Sequence, residues 1–104
     1  MPVVALKPAN KMGFGFAYPP SGKIKIYLEA SYPVDVFLAS NDQATKINSP
    51  TDAVTLGAHV FTQQMLMPHI EIGIPPSWSS GWQLVVGNPH PSEVVAVFYQ
   101  IYQA

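Results

Sequence analysis

The sequence predicts an all-β chain: a single antiparallel β-sandwich of about eight short strands, jelly-roll-like or related in topology, with residues 1–104 as one domain. Three observations lead there. Apolar and polar residues alternate with period two over residues 23–30, 34–39 and 70–74, as half-buried strands do. The 11 prolines and 7 glycines are spread between the apolar runs as turn punctuation and do not gather into a linker. Residues 94–102 are β-branched or aromatic except at Ala96 and Gln100, with apolar side chains on both faces, and such a strand needs cover on both sides.

The elements follow in chain order. Residues 3–6 are a short apolar run closed by Pro8, suited to an edge strand. Over residues 12–18, Phe14, Phe16 and Tyr18 share one face, with glycines between them. Pro19-Pro20-Ser21-Gly22 then forces a turn. In residues 23–30, Ile24, Ile26, Leu28 and Ala30 point inward, while Lys23, Lys25, Tyr27 and Glu29 point outward. Ser31-Tyr32-Pro33 is expected to end that strand. Residues 34–39 make the next one, with Val34, Val36 and Leu38 inward and Phe37 outward.

Residues 40–58 are the least regular. Asn41-Asp42, Asn48-Ser49-Pro50 and Thr51-Asp52 are turn or cap formers. One helical turn is expected within 41–47 and a short strand at 54–56. Residues 59–67 are expected to form a strand, with a helix as the alternative, and Pro68 separates them from another strand in which Ile70, Ile72 and Ile74 face inward. Residues 75–81 are a loop into a closing hairpin, whose turn is Gly87-Asn88-Pro89-His90-Pro91-Ser92. The expected core is Ile24, Ile26, Leu28, Val36, Leu38, Ile70, Ile72, Leu84, Val86 and Val97.

The ending Gly81-Trp82-Gln83-Leu84-Val85-Val86-Gly87-Asn88, followed by a β-branched last strand, resembles the end of GOLD-type domains. These are β-sandwiches of secretory-cargo and lipid-transfer proteins. The same ending is similar to small bacterial sandwich modules of the pre-peptidase C-terminal kind. The resemblance spans residues 22–102 in strand order and is specific over residues 81–88. It implies a protein-interaction or accessory module without catalysis. The transmembrane helix, coiled coil or attached enzyme that accompanies such domains is not visible in this chain.

Charge excludes some partners. Charged residues are 11% of the chain, against about 25% in an average soluble protein. The 5 basic residues are all lysine, and the formal net charge is −1. Nucleic-acid binding needs a basic face, and none can be assembled. A polybasic membrane anchor is excluded on the same ground. No signal peptide is expected, since residues 1–7 have no charged segment before an apolar run. No apolar run approaches the roughly eighteen residues of a membrane-spanning helix, so a soluble chain without membrane insertion is expected.

Cysteine is absent, which removes disulfides, thiolate nucleophiles and cysteine-ligated zinc. His69 and Glu71 stand on one strand face, but zinc needs three or four ligands, and neither His59 nor His90 is brought in by spacing. No metal or organic cofactor is expected. No G-x-S-x-G nucleophile elbow occurs, and Gly13-Phe14-Gly15 lacks the third glycine and the helix of a dinucleotide loop. No catalytic residues are therefore assigned.

Two functional readings remain. The first is a non-catalytic protein-interaction or assembly module, docking on a protein partner or on itself. Its surface is formed by outward rings, Tyr27, Phe37 and one of Phe98 or Tyr99. The second is a carbohydrate- or small-ligand-binding module around Trp78, with Tyr27 and Tyr32 as further rings. In that reading Trp78 is an exposed platform; otherwise it plugs the end of the sandwich.

Overall fold

Residues 23–40 form one continuous strand where the sequence suggests two, and residues 59–73 do the same. The computed structural model describes residues 3–103. In chain order these are β1 (Val3–Leu6), β2 (Lys11–Phe16), β3 (Lys23–Ser40), α1 (Asn41–Ala44), α2 (Pro50–Thr55), β4 (His59–Gly73), a 3-10 turn (Pro76–Trp78), β5 (Trp82–Gly87) and β6 (Val95–Gln103). The strands make one six-stranded antiparallel sheet in the order β1-β6-β3-β5-β2, with β4 on the other side of β3. The chain is all-β in character, with six strands in place of about eight. The helix falls between Asn41 and Leu56, and the strand expected at 54–56 is the end of α2 and its cap.

β3 stays continuous because its main irregularity, residues 30–33, falls where pairing changes partner. The first part of β3 pairs with β6, from Ile24↔Gln103 to Ala30↔Val97. The second part pairs with β5, from Asp35↔Gly87 to Ser40↔Trp82. Pro33 lies in the gap between the two, where its missing N–H breaks no ladder. On the β4 side, Glu29 pairs with Leu66 and Val34 with Gln64, so residues 30–33 stand opposite Met65 alone. That excess on one strand turns the sheet sharply at this point.

Two bulges in β4 complete the bend. Residues 62–63 face Asp35 alone, and residues 68–69 face Tyr27 alone. The φ angles of Gln63 (55°) and His69 (54°) are left-handed, as a bulge of this type requires. The backbone N–H of Gln63 donates to Asp35 Oδ1 at 3.2 Å, so the bulge leaves that donor satisfied. Pro68 sits within the second bulge, where a strand tolerates it.

The curl encloses one main core. Ile24, Ile26 and Leu28 from the first half of β3 join Val34, Val36 and Leu38 from the second half. Leu6, Met67, Leu84, Val86, Val95 and Val97 complete the cluster. The Phe14 and Tyr99 rings, from β2 and β6, meet across it with centroids 4.6 Å apart. All ten expected core residues belong here, Ile70 being only partly buried.

Two buried polar anchors hold the ends. Trp82 Nε1 donates to the Ala17 carbonyl at 3.1 Å, and its ring stacks on Phe16 at 5.0 Å. Asn88 is 3% exposed, and its Nδ2 lies within bonding distance of the carbonyls of Leu6 (3.0 Å), Lys7 (3.2 Å) and Glu93 (2.7 Å). Its Oδ1 accepts from the His90 N–H at 3.0 Å. One amide thus ties the β1–β2 turn to the β5–β6 turn.

Candidate interaction surface

The two halves of the curled sheet have different outer faces. Over the second half, Phe37 and Ala39 of β3 and Val85 of β5 are covered by Ala44, Ile47 and Ala53 from the α1–α2 segment. Short helices of this length hold only if their ends are fixed and one side is buried. Here Ser40 Oγ accepts from the Gln43 N–H (3.2 Å) while Gln43 Oε1 accepts from the Ser40 N–H (3.1 Å), a capping box. Ser49 Oγ caps α2 at the Asp52 N–H (3.2 Å), with Pro50 at the first helical position.

That cover corrects the expectation for Phe37. It does point outward from the sheet, but it is 3% exposed beneath the helices and offers no contact surface. Tyr99 is corrected as well: alternation in β6 turns it inward against Phe14, and Phe98 takes the outward position. Trp78 is 5% exposed and meets His59 edge to face at 5.7 Å, so it closes the structure and presents no open platform. Tyr32 is exposed at the corner of the sheet, edge-on to His90 at 5.4 Å. Tyr32 and Tyr27 contact different neighbours and form no common site with Trp78.

The first half has no such roof among the described residues. Outward from β3 stand Lys23, Lys25, Tyr27 and Glu29. Level with them on β6 are Tyr102 beside Lys25, Gln100 beside Tyr27 and Phe98 beside Glu29. Val3 of β1 is level with Phe98, and Leu66 of β4 is level with Glu29. Tyr27 sits at the centre, its ring 5.0 Å from His69 and 5.9 Å from Phe98. His69 in turn lies 5.8 Å from Tyr102. Four rings therefore run across three strands as one exposed or half-exposed patch. Val3 (64%), Leu66 (53%) and Tyr102 (40%) extend it with open apolar surface.

The bulge is what brings His69 into the group. Its left-handed backbone sets the imidazole over Tyr27 and Tyr102. His69 and Glu71 do share this face, but Glu71 is engaged by Lys23 at 3.6 Å. Among the described residues no three His, Asp or Glu gather at metal-binding range. The Tyr27 hydroxyl donates to Glu29 Oε1, and this bond to a carboxylate, with the charge of Glu29 beside it, pushes the phenol above its ordinary value.

An open cleft of about 490 Å³ lies elsewhere, between β2, β5 and the α1–α2 loop, with Lys11, Asp35, Asn48, Ser49 and Asn88 in its walls. The Lys11, Asp35, Ser49 and Asn88 side chains in it are occupied by the fold. Lys11 Nζ donates to the Ile47 carbonyl and to Asn48 Oδ1. Asp35 holds the Gln63 bulge, Ser49 caps α2, and Asn88 bridges two turns. This arrangement supports a structural role for each group and presents no nucleophile beside a base.

Tyr102, His69, Leu66 and Val3 were not foreseen as parts of this surface. Alternation alone could have placed Tyr102 outward with Phe98, but only strand pairing sets it beside Lys25. No protein-family model and no curated protein matches this sequence.

Proposed function

We propose that the chain is a non-catalytic interaction module that docks through the bare outer face of β1, β6, the first half of β3 and the end of β4. The observation that carries this reading is the contrast between the two faces. The apolar outer residues of one half are roofed by the chain's own helices, whereas the rings of the other half stay open to solvent. Contiguous apolar surface of this kind marks contact sites, and aromatic rings dominate contact energies. The curled sheet is read as a sandwich-like module, with Phe14 against Tyr99 as the contact between its halves. A place among GOLD-type or pre-peptidase C-terminal-like domains is part of this proposal and rests on the residue pattern of the Gly81–Asn88 ending.

The carbohydrate reading loses the ring it was centred on, because Trp78 is buried. The remaining rings are tilted to one another by 39° (Tyr27–His69) and 35° (His69–Tyr102), which makes a poor flat platform for a sugar. The test is site-specific photo-crosslinking in the producing cells, with benzoylphenylalanine at Phe98 or Tyr102 and, as control, at Val54 on the roofed side. Protein adducts from Phe98 and Tyr102 but not from Val54 support the reading. Adducts from Val54 alone, or from none of the three, would sink it.

A further inference from the structure

The outward residues of β3 are arranged symmetrically about Tyr27. Lys25 lies two residues before it and Glu29 two residues after, on the same face and of opposite charge. The neighbouring strand repeats the pattern in rings. Tyr102 is level with Lys25, Gln100 with Tyr27, and Phe98 with Glu29. A face of this design complements itself when turned over.

We infer that this face docks onto a second copy of the same chain, about a two-fold axis that crosses β3 at Tyr27 in the plane between the two sheets. The inference rests on the interaction-surface reading above and names its occupant. An axis across the strands reverses their direction and keeps their lateral order. Tyr27 then stands over Tyr27 of the second copy and Gln100 over Gln100. Each Lys25 meets a Glu29, and each Tyr102 ring meets a Phe98 ring. Because the contact is isologous, the Lys25–Glu29 and Tyr102–Phe98 pairs each occur twice, and the two self-pairs on the axis occur once. The opposite arrangement, with the axis along the strands, would set Lys25 against Lys25 and Glu29 against Glu29. Charge therefore selects one orientation. Lys23 and Glu71 pair within one chain at the rim, where interfaces are polar.

Size sets the expected strength. Three strands of about eight residues and the 4 residues of β1, about 4.8 Å apart and about 3.3 Å per residue, give a face of roughly 450 Å². Two copies then bury about 900 Å², the size of a weak, transient contact. A reversible dimer of micromolar strength is expected, without an obligate one.

The experiment is sedimentation equilibrium of the purified chain and its charge variants from about 1 to 500 μM. Wild type should show a monomer–dimer equilibrium. Lys25→Glu and Glu29→Lys should each weaken it about tenfold or more, since each places like charges together at two points. A 1:1 mixture of these two variants should dimerise again. One chain then carries a carboxylate at both positions and the other an ammonium at both, so opposite charges meet at each point. The Lys25→Glu/Glu29→Lys double variant should also recover to within about threefold of wild type. Circular dichroism and thermal melting identify any variant that fails to fold. In that event single cysteines in this cysteine-free chain decide. Tyr27→Cys should form dimers with a short bis-maleimide linker, and Val54→Cys should not. A wild-type monomer at 500 μM overturns the inference. So does a dimer indifferent to both charge reversals, or one linked through Val54→Cys. Crosslinks from Phe98 to a different protein in cells would leave the interaction reading standing while a monomer in sedimentation removes the self-docking one.

Discussion

Replacing Asn88 by Asp or Ala tests how the two turns are joined. The side chain is buried, with one amide nitrogen among three carbonyls and one oxygen on the His90 N–H. Asn88→Ala removes about three net hydrogen bonds at roughly 1 kcal/mol each, so a loss of about 3 kcal/mol is expected. For a domain of this size that is a drop of about 12–24 °C in melting temperature. Asn88→Asp should cost more at neutral pH, because it removes the donors and sets a carboxylate against three carbonyl oxygens. Burial and those dipoles raise the folded-state pKa of the new carboxyl above its unfolded value of about 3.9. The folded state then binds the extra proton more tightly, and the added penalty is absent below that unfolded value. It grows as pH rises, by up to about 1.4 kcal/mol per unit, until the folded carboxyl ionises too. The assay is urea unfolding of wild type, Asn88→Ala and Asn88→Asp from pH 3 to 8. A loss below about 1 kcal/mol for Asn88→Ala, or a constant gap between Asn88→Asp and wild type across that range, would refute the reasoning.

Other perturbations probe the register and the surface. Ile26→Ala should cost about 2–5 kcal/mol through lost burial and a residual cavity, whereas Lys25→Ala should stay within about 0.5 kcal/mol; equal losses in denaturant unfolding would mean that the inward face of β3 is misassigned. Gly81 has φ +128° and a Cβ there would lie 2.6 Å from Asn41 Nδ2, so Gly81→Ala should cost about 1–3 kcal/mol, mostly as backbone strain because the Asn41 amide can move. A melting temperature unchanged from wild type would contradict this. The Tyr27 phenol should ionise above the ordinary tyrosine range, and Glu29→Gln should bring it back toward that range. Any stability that its bond to Glu29 adds is present below the unfolded tyrosine value and is lost as pH rises through the folded one. Ultraviolet difference titration reads it, and an ordinary Tyr27 value insensitive to Glu29→Gln would remove Glu29 as the cause.

Most of the fold was legible because period-two alternation encodes the facing of each strand directly. Ile24, Ile26 and Leu28, and then Val34, Val36 and Leu38, lie where alternation puts them. What it could not encode was continuity. Ser31-Tyr32-Pro33 and Pro68 carry the chemistry of strand breaks, and only the exchange of β6 for β5 as partner lets β3 run through. The roof over Phe37 was half legible. Ser40 with Gln43, and Ser49-Pro50 with Asp52, are helix-start signals in the sequence, but which sheet face the helices cover depends on tertiary contacts. The same limit applies to the rings. Tyr27 could be assigned outward from alternation, while the choice between Phe98 and Tyr99 could be made only once the register of β6 was known. Trp78 could not be assigned from its loop at all, because its burial against His59 joins residues 19 apart along the chain.

Hydroxyl-radical footprinting of the chain inside its producing cells, against the same chain purified and diluted below 1 μM, tests the central claim most directly. Oxidation reports side-chain access to solvent and needs no knowledge of the partner. The account predicts lower oxidation in cells at Tyr27, Phe98, Tyr102 and Leu66, with Met12 and Val54, which lie away from this face, oxidised equally in both states. Equal oxidation at all of these positions, or protection confined to Val54 and Met12, would contradict it.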